Sequence, residues 1–426
     1  MRLATCNVLA VCLVALSALA VAGCGGSGST NAAGAANAST GPDGRVVDVY
    51  SSLPWHGPSA DEAIPLKNGI ELALEQAGYR AGQFEIHYTA LDDSAGPSGW
   101  DPSETAANAR QAAADPRTVF YIGEFDDEAS EVSMPILNEA GIPQVGPANT
   151  YVGLTTAGSG SRGVTPYSPT GTRTYLRIVP TDAVQAAADL FAMKQAGCTR
   201  VAVLDDGEEY GAGLTKLVEV QKSSYGVDVV SQSAVAPTTV AHLRVFVDTT
   251  RAERAGCFLV AGVPSSATVR MTKDAHLALP TARIFAPAAM CTSAWTNPRD
   301  GGVPADIDPL IECTDVTLSL SSYPGGKAFR SAYEAKYRVA NPSPYAILGY
   351  EAMSLGLSTI SSLGPSGDSK SAVLSALYST ANRHSVLGTY GFDRNGDTTL
   401  RTFGLYRVGP SGNPEFVRTI TPPHVS

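Results

Sequence analysis

From residue 46 onward the chain repeats one pattern: a short apolar run, a turn, then a longer stretch whose apolar residues recur three and four positions apart. "VVDVYSSL" reads as a strand and "AIPLKNGIELALEQAG" as a helix, with Pro65 near its start, Ile70, Leu74 and Ala77 on one face, and Gly78 closing it. The same alternation runs through "FEIHYTALDD", "SETAANARQAAAD", "VFYIGEF", "ASEVSMPILNEAG" and "QVGPA". Strands alternating with helices predict a parallel sheet with right-handed crossovers. Ligands of such sheets collect at the C-terminal ends of the strands.

A loop rich in Gly, Ser, Thr and Pro, roughly 155–173, interrupts the pattern, which then starts afresh with "AVQAAADLFAMKQAG", "RVAVLDD", "GAGLTKLVEVQKSS" and "VDVVSQSA". It continues through "VAHLRVFVDTTRAERAG", "CFLVAG", a helix near 266–277 and "RIFAPA". Two α/β units in series predict two Rossmann-like lobes with a cleft between them. Beyond Cys313 the reading is a strand at "VTLSLSS", three helices, and a strand–turn–strand around Asn395-Gly396.

A chain of 426 residues exceeds what one core usually supports. The net charge of −10 becomes about −11 once residues 1–23, with Arg2 and no acid, are removed (−10 − 1). That balance argues against nucleic acid, where affinity comes from Lys and Arg neutralising phosphate. The removal is expected because "VLAVCLVALSALAVAG" is an apolar segment too short to span a membrane with confidence and ends in Val21-Ala22-Gly23-Cys24. Those four residues look like a bacterial lipobox, in which the cysteine takes a lipid. An ordinary cleaved leader with an incidental cysteine is the alternative. The Gly/Ser/Ala/Asn stretch from 24 to 45 reads as a flexible tether. An extracytoplasmic location on a membrane face follows.

Cys198, Cys257, Cys291 and Cys313 remain, an even number in an oxidising compartment. Three pairings are available. Cys198 and Cys257 each precede an apolar strand, so Cys198–Cys257 with Cys291–Cys313 is preferred; a zinc site is the other option, with no CxxC or His cluster behind it. Catalytic motifs are missing: no GxSxG, no complete P-loop, no GxGxxG opening a helix, and six histidines without metal-ligand spacing. "DRNGD" starts like a calcium loop, yet Gly404 stands where the closing acid should be, so a hairpin turn is the reading. No cofactor is expected. A bilobal exported chain without a catalytic motif is most simply a binding protein.

Several stretches carry a family likeness: "YSSLPWHGPSADEAIPLKNGIELALEQAG", "LDDSAGPSGWDPSETAANARQAA", "YIGEFDDEASEVSMPILNEAGIPQVGPANTYVGLT", "DDGEEYGAGL" and "GTYGFDRNGD". From about Val46 to Ile420 the chain resembles the substrate-binding lipoproteins of branched-chain amino acid ABC importers, with the periplasmic binding protein type I fold. The resemblance implies three crossovers between discontinuous lobes, here 46–174 with 318–388 and 175–317 with 389–420. It also implies hinge closure on ligand, monomeric action, and permease and ATPase partners. At the family's carboxylate-binding serine this chain has Asp127, preceded by Asp126. The next strand end brings Ala148, Asn149 and Thr150, and the Tyr-Gly-x-Gly-Leu motif brings Tyr210. An aromatic wall falls on Tyr345. Departures are Ala288-Ala289, where the resemblance implies an acid for the ligand ammonium, and Val263, where it implies a tyrosine. Trp55 and His56 stand at the cleft rim.

Each position also has a plainer reading. Asp127 is either a helix N-cap or a ligand contact; Asp126 and Glu128 are otherwise solvated acids; Thr150 is otherwise a loop residue; Tyr345 and Trp295 are otherwise core; His56 is otherwise a surface side chain. The expectation is a lipid-anchored solute-binding protein of an ABC importer, not an enzyme, that holds leucine-like solutes weakly and favours a neutral or cationic amide, amine or modified amino acid. The alternative is a lipid-anchored sensor that signals to a membrane receptor without transport.

Overall fold

The computed structural model describes residues 45–156, 167–234 and 240–423; the leader, Cys24, the tether and part of the 155–173 loop lie outside them. The first half runs β1 (Arg45–Leu53), α1 (Ala60–Gln76), β2 (Arg80–Ala81), β3 (Phe84–Asp92), α2 (Pro102–Ala114), β4 (Thr118–Ile122), α3 (Asp127–Glu139), β5 (Gln144–Gly146) and β6 (Tyr175–Arg177). Next come α4 (Asp182–Gln195), β7 (Arg200–Asp205), α5 (Glu209–Tyr225), β8 (Asp228–Ala234), α6 (Val240–Ala252), β9 (Cys257–Ala261), α7 (Ser266–Ala278), β10 (Arg283–Ala286), α8 (Ser293–Thr296) and β11 (Ile311–Asp315). The chain closes with α9 (Gly326–Tyr337), α10 (Tyr345–Ser362), α11 (Lys370–Tyr378), the short pair β12 (Arg383–His384) and β13 (Thr389–Tyr390), then β14 (Phe403–Val408) and β15 (Pro414–Ile420).

Two large sheets result. The first has the order β2-β3-β1-β4-β5-β6 and is parallel except for β2. The second, β15-β14-β11-β10-β9-β7-β8, is parallel from β8 to β11 and carries two antiparallel strands at one edge. Central strands such as β4 and β9 are buried along their whole length, as parallel strands covered on both faces must be. The chain passes between the sheets three times: after Arg177, after Asp315, and between Tyr390 and Phe403. Tyr175–Arg177 pair with Gln144–Gly146, so the first sheet reaches a few residues beyond the division at 174 read from the sequence.

Two local readings need correction. "VTLSLSS" is not a strand: the second sheet takes Ile311–Asp315 instead, because Ile284 pairs with Ile311 and the register places Cys313 beside Ala286. The first helix starts at Ala60, not Ala63, so Pro65 sits one turn inside it and Asp61 and Glu62 form its first turn, where the helix dipole favours acids. Cys198 and Cys257 form a disulfide, as do Cys291 and Cys313, with Cα–Cα separations of 6.1 and 5.5 Å. Parallel pairing explains the first, since Cys257 lies opposite Val201 near the start of β7.

α1 and α10 cross at a pair of glycines. A Cβ on Gly69 would fall on the Ala346 carbonyl oxygen, and one on Gly349 would fall on the Leu66 carbonyl oxygen. The backbones therefore touch, which only glycine permits at both positions. Gly349→Ala is expected to force the helices apart at a cost of about 1–3 kcal/mol, read as a lower urea midpoint with an unchanged slope; an unchanged midpoint would contradict this packing.

Candidate ligand-binding cleft

The C-terminal ends of β1, β4 and β5 face those of the second sheet. The Tyr151 hydroxyl, after β5, donates to Glu209 Oε1 at the start of α5 (2.9 Å). The carboxylates of Asp315, at the end of β11, and Glu62, in α1, act on each other. A cleft thus lies where the strand ends of the two sheets meet, as expected for open α/β sheets.

The run after β4, "GEFDDEAS", forms one wall. Its first acid, Glu124, is fully buried; it accepts from the Tyr121 hydroxyl (2.8 Å) and its amide donates to Ser130 Oγ (3.2 Å). Glu124 lies beside buried Asp93: burial and that neighbouring charge hold Glu124 well above the usual carboxylate range, and burial raises Asp93 to about 6. Asp126 is the N-cap residue of α3 but makes no capping bond. It accepts from Ser59 Oγ (3.0 Å), its other oxygen is buried without a partner, and burial raises it to about 7.

Asp127 does not cap the helix either. It is the first helical residue, and its side chain reaches away from α3 to the loop after β5. Its Oδ1 accepts the backbone N–H groups of Thr150 (3.0 Å) and Tyr151 (3.2 Å), and Oδ2 accepts Tyr151 again (3.2 Å). Burial raises its carboxyl well above the ordinary range, Asp182 adds to this, and Arg177 opposes it. Arg177 is itself fully buried. It donates to Asp397 Oδ1 (2.7 Å), to the Tyr151 and Asn149 carbonyls (2.8 and 3.3 Å) and to Thr155 Oγ1 (2.6 Å). Asp397 sits in the "DRNGD" turn, whose Asp397 and Asn395 amides donate to Asp393 Oδ1. The turn closes on a single antiparallel bridge, Phe392 to Thr398, and not on the strand pair read from the sequence, because β13 pairs with β12 and β14 with β11 and β15.

Asp182 and Asp189 both lie on α4, Asp182 beside Thr150 of the wall and Asp189 buried between α4 and β11. Asp182 is 4% exposed, with one oxygen lacking a partner; burial raises it to about 6 against the Thr150 hydroxyl and Arg177. Asp189 accepts from Thr314 Oγ1 (2.6 Å) and Gln185 Nε2 (3.1 Å) but keeps one buried oxygen unpartnered, and burial raises it to about 8. Both charges act on Tyr210, whose hydroxyl oxygen accepts the Ala289 backbone N–H. On the other side Glu62, Asp126 and Asp315 come together beside Tyr345. Burial lifts Glu62 to about 8 and Asp315 to about 6, the charges of Asp315 and Asp126 add to the Glu62 shift, and the Tyr345 ring packs on Phe125 with centroids 5.7 Å apart.

The remaining sequence candidates fall as follows. Asn149 is buried and fully used in bracing the wall: its Oδ1 accepts from Ser130 and Tyr175, and its Nδ2 donates to the Phe125 carbonyl. Thr150 lies between Asp127 and Asp182, accepting the Asp182 amide at its carbonyl (2.8 Å). Ala148 is half-buried against the core. Trp55 donates its amide to Asp92 and lies 5.7 Å from Lys67 Nζ, its indole N–H buried without a partner; His56 is exposed, 3.8 Å from Asp92. Val263 is 43% exposed, its amide bonded to Asp206. Trp295 is core, fully buried with its indole on Thr272. Glu62, Arg177, Asp182, Asp189 and Asp315 were not singled out from the sequence. Glu62 lies ahead of the stretch read as helix, which begins at Ala63, three residues after the true start at Ala60; the acid pair before Pro65 is the signal for it. The two α4 acids lie in an apolar-spaced helix and give no signal alone.

A separate cavity of about 300 Å³ lies at the opposite strand ends, lined by Arg200, Arg254, Arg283 and the Cys198–Cys257 disulfide. Among the described residues no group of three or more His, Cys, Asp or Glu is placed to hold a metal, and no helix is long and apolar enough to cross a membrane.

Two facing α/β sheets with three connections and an acid-lined cleft define a bilobal binding protein. A family model described as "Periplasmic binding protein" matches residues 52–413, and the chain belongs to that family, a solute-binding and extracytoplasmic one. Solved structures share the fold. The leucine binding protein LivK of Thermotoga maritima has a TM-score of 0.68 at 22% identity, covering 88% of this chain and 99% of its own. A Desulfitobacterium hafniense ABC transporter substrate-binding protein, in complex with Leu, has 0.70 at 17%, covering 88% and 100%. An R. palustris solute binding protein in complex with benzoate has 0.65 at 17%, covering 89% and 97%. No curated protein matches the chain.

Asp189 provides a test of the cleft's electrostatics. Its folded value of about 8 lies above the ordinary 3.8, so between those values the folded state binds more protons than the unfolded one and stability falls as pH rises. Asp189→Asn removes that penalty. The variant is expected to match the parent near pH 4 and to melt at a higher temperature than the parent at pH 8; equal differences at both pH values would contradict the assignment.

Proposed function

We propose that this chain is the solute receptor of an ABC importer, tethered to the outer face of a membrane through lipidated Cys24, and that it delivers a small amino acid, amide or amine to permease and ATPase subunits as a monomer. The observation that supports the reading best is the arrangement of the cleft. Loops from both sheets meet there, Tyr151 reaches Glu209 across it, and aromatic side chains stand beside unpaired carboxylates. Only three connections join the sheets, so closure on a solute needs changes at few residues. Membership of a periplasmic binding protein family supports capture of a solute.

Capture is tested by thermal-shift screening of the mature chain, residues 24–426, against amino acids, amides and amines. A bound solute at one hundred times its Kd is expected to add about 2.7 kcal/mol; a flat response across all three classes overturns solute capture. Anchoring is tested separately. Cys24→Ala should release the protein from membranes and abolish labelling by a fatty-acid analogue, and persistent labelling would remove Cys24 as the attachment point.

A further inference from the structure

The donors at the start of the first lobe's ligand wall are already occupied. The Thr150 and Tyr151 backbone N–H groups point at Asp127, and the Thr150 hydroxyl is engaged with Asp182. An incoming carboxylate would have to displace the Asp127 side chain from three hydrogen bonds and then lie beside it and Asp182. The positive charge near this wall, Arg177, is fully buried and its donors go to Asp397, Asn149, Tyr151 and Thr155. It offers nothing to a ligand anion. Acceptors, by contrast, are in surplus. Asp182 and Asp189, 4% and 1% exposed, each keep an oxygen without a partner, and both act on Tyr210. Asp126 keeps another, beside Glu62, Asp315 and the Phe125–Tyr345 pair.

Resting on the solute-capture reading, we propose that the cleft takes an organic ammonium ion that carries no carboxylate, with the Asp127 side chain standing permanently where such a carboxylate would be held. The unpartnered oxygens of Asp182 and Asp189 accept the ammonium hydrogens from one side. Tyr210 and the Phe125–Tyr345 pair enclose the attached hydrocarbon, and aromatic faces add to the attraction for a cation. An unpaired buried carboxylate is costly, so a cation that supplies its missing donors binds with the gain of relieving that cost.

The test compares leucine with isopentylamine, which has the same branched chain and ammonium but no carboxylate, by calorimetry on the mature chain. Isopentylamine is expected to bind at least ~tenfold more tightly, the size of one charge-assisted hydrogen bond gained or lost. Asp182→Asn is expected to weaken isopentylamine by a similar factor. Asp127→Ser frees the Thr150 and Tyr151 amides and is expected to strengthen leucine relative to isopentylamine. Circular dichroism confirms that each variant is folded, and Asp182→Asn keeps the test open should Asp127→Ser not fold. Leucine binding as tightly as isopentylamine, or neither probe binding while another carboxylate solute does, overturns the inference and leaves solute capture standing. Capture itself fails only if the broad screen is flat.

Discussion

One buried guanidinium organises this protein. Arg177 ends the last strand of the first sheet at the first passage between the sheets, and its partner Asp397 lies in the turn of the third passage. Its other donors hold the carbonyls and hydroxyl of residues 149–155, so the loop that follows β5 has no freedom to move independently. A charge so deeply buried is tolerable only when every donor is matched. Here the matches are supplied by residues up to 220 positions away. The cleft wall and the interlobe connections are therefore parts of one network.

That network leaves the cleft with an excess of negative charge. Arg177 answers Asp397 directly and moderates Asp127 and Asp182 at a distance, but no cation answers Asp189, Glu62 or Asp315. The protein tolerates this by keeping several carboxyls protonated more readily than usual, with burial as the main cause in each case. Burial raises Glu124 and Asp93 together beneath the wall. The leucine- and benzoate-bound proteins of similar fold each hold a ligand with a carboxylate; this chain has put an aspartate of its own on the loop amides.

Much of the architecture was legible in residue order. Apolar strands alternating with amphipathic helices, twice over, specified two parallel sheets, and the parallel neighbours β7 and β9 explain why Cys198 finds Cys257. Less legible were boundaries set by pairing instead of composition. "VTLSLSS" has the makings of a strand, but register gave that place to Ile311–Asp315. Of the candidate site, Asp126 and Asp127 stood out as acids at a strand end, and Thr150, Tyr210 and Tyr345 through the family resemblance alone. Asp182 and Asp189 did not, since an acid one or two helical turns into an amphipathic pattern looks like any solvated residue.

The sequence by itself determined the class of fold, the pairing of strands with helices and the presence of acids at the end of β4, because these depend on local periodicity and on which residues tolerate burial. Only the tertiary structure decided what those acids do. Asp127 can cap its own helix or reach across to another loop, and local chemistry favours neither. The choice fell to the loop after β5, whose amides are held 23 and 24 residues away in the chain but within 3.0 and 3.2 Å in space by Arg177 and Asn149. Long-range placement, set by the packing of two sheets, turned an ordinary helix-start acid into the side chain that occupies the amides of the loop after β5.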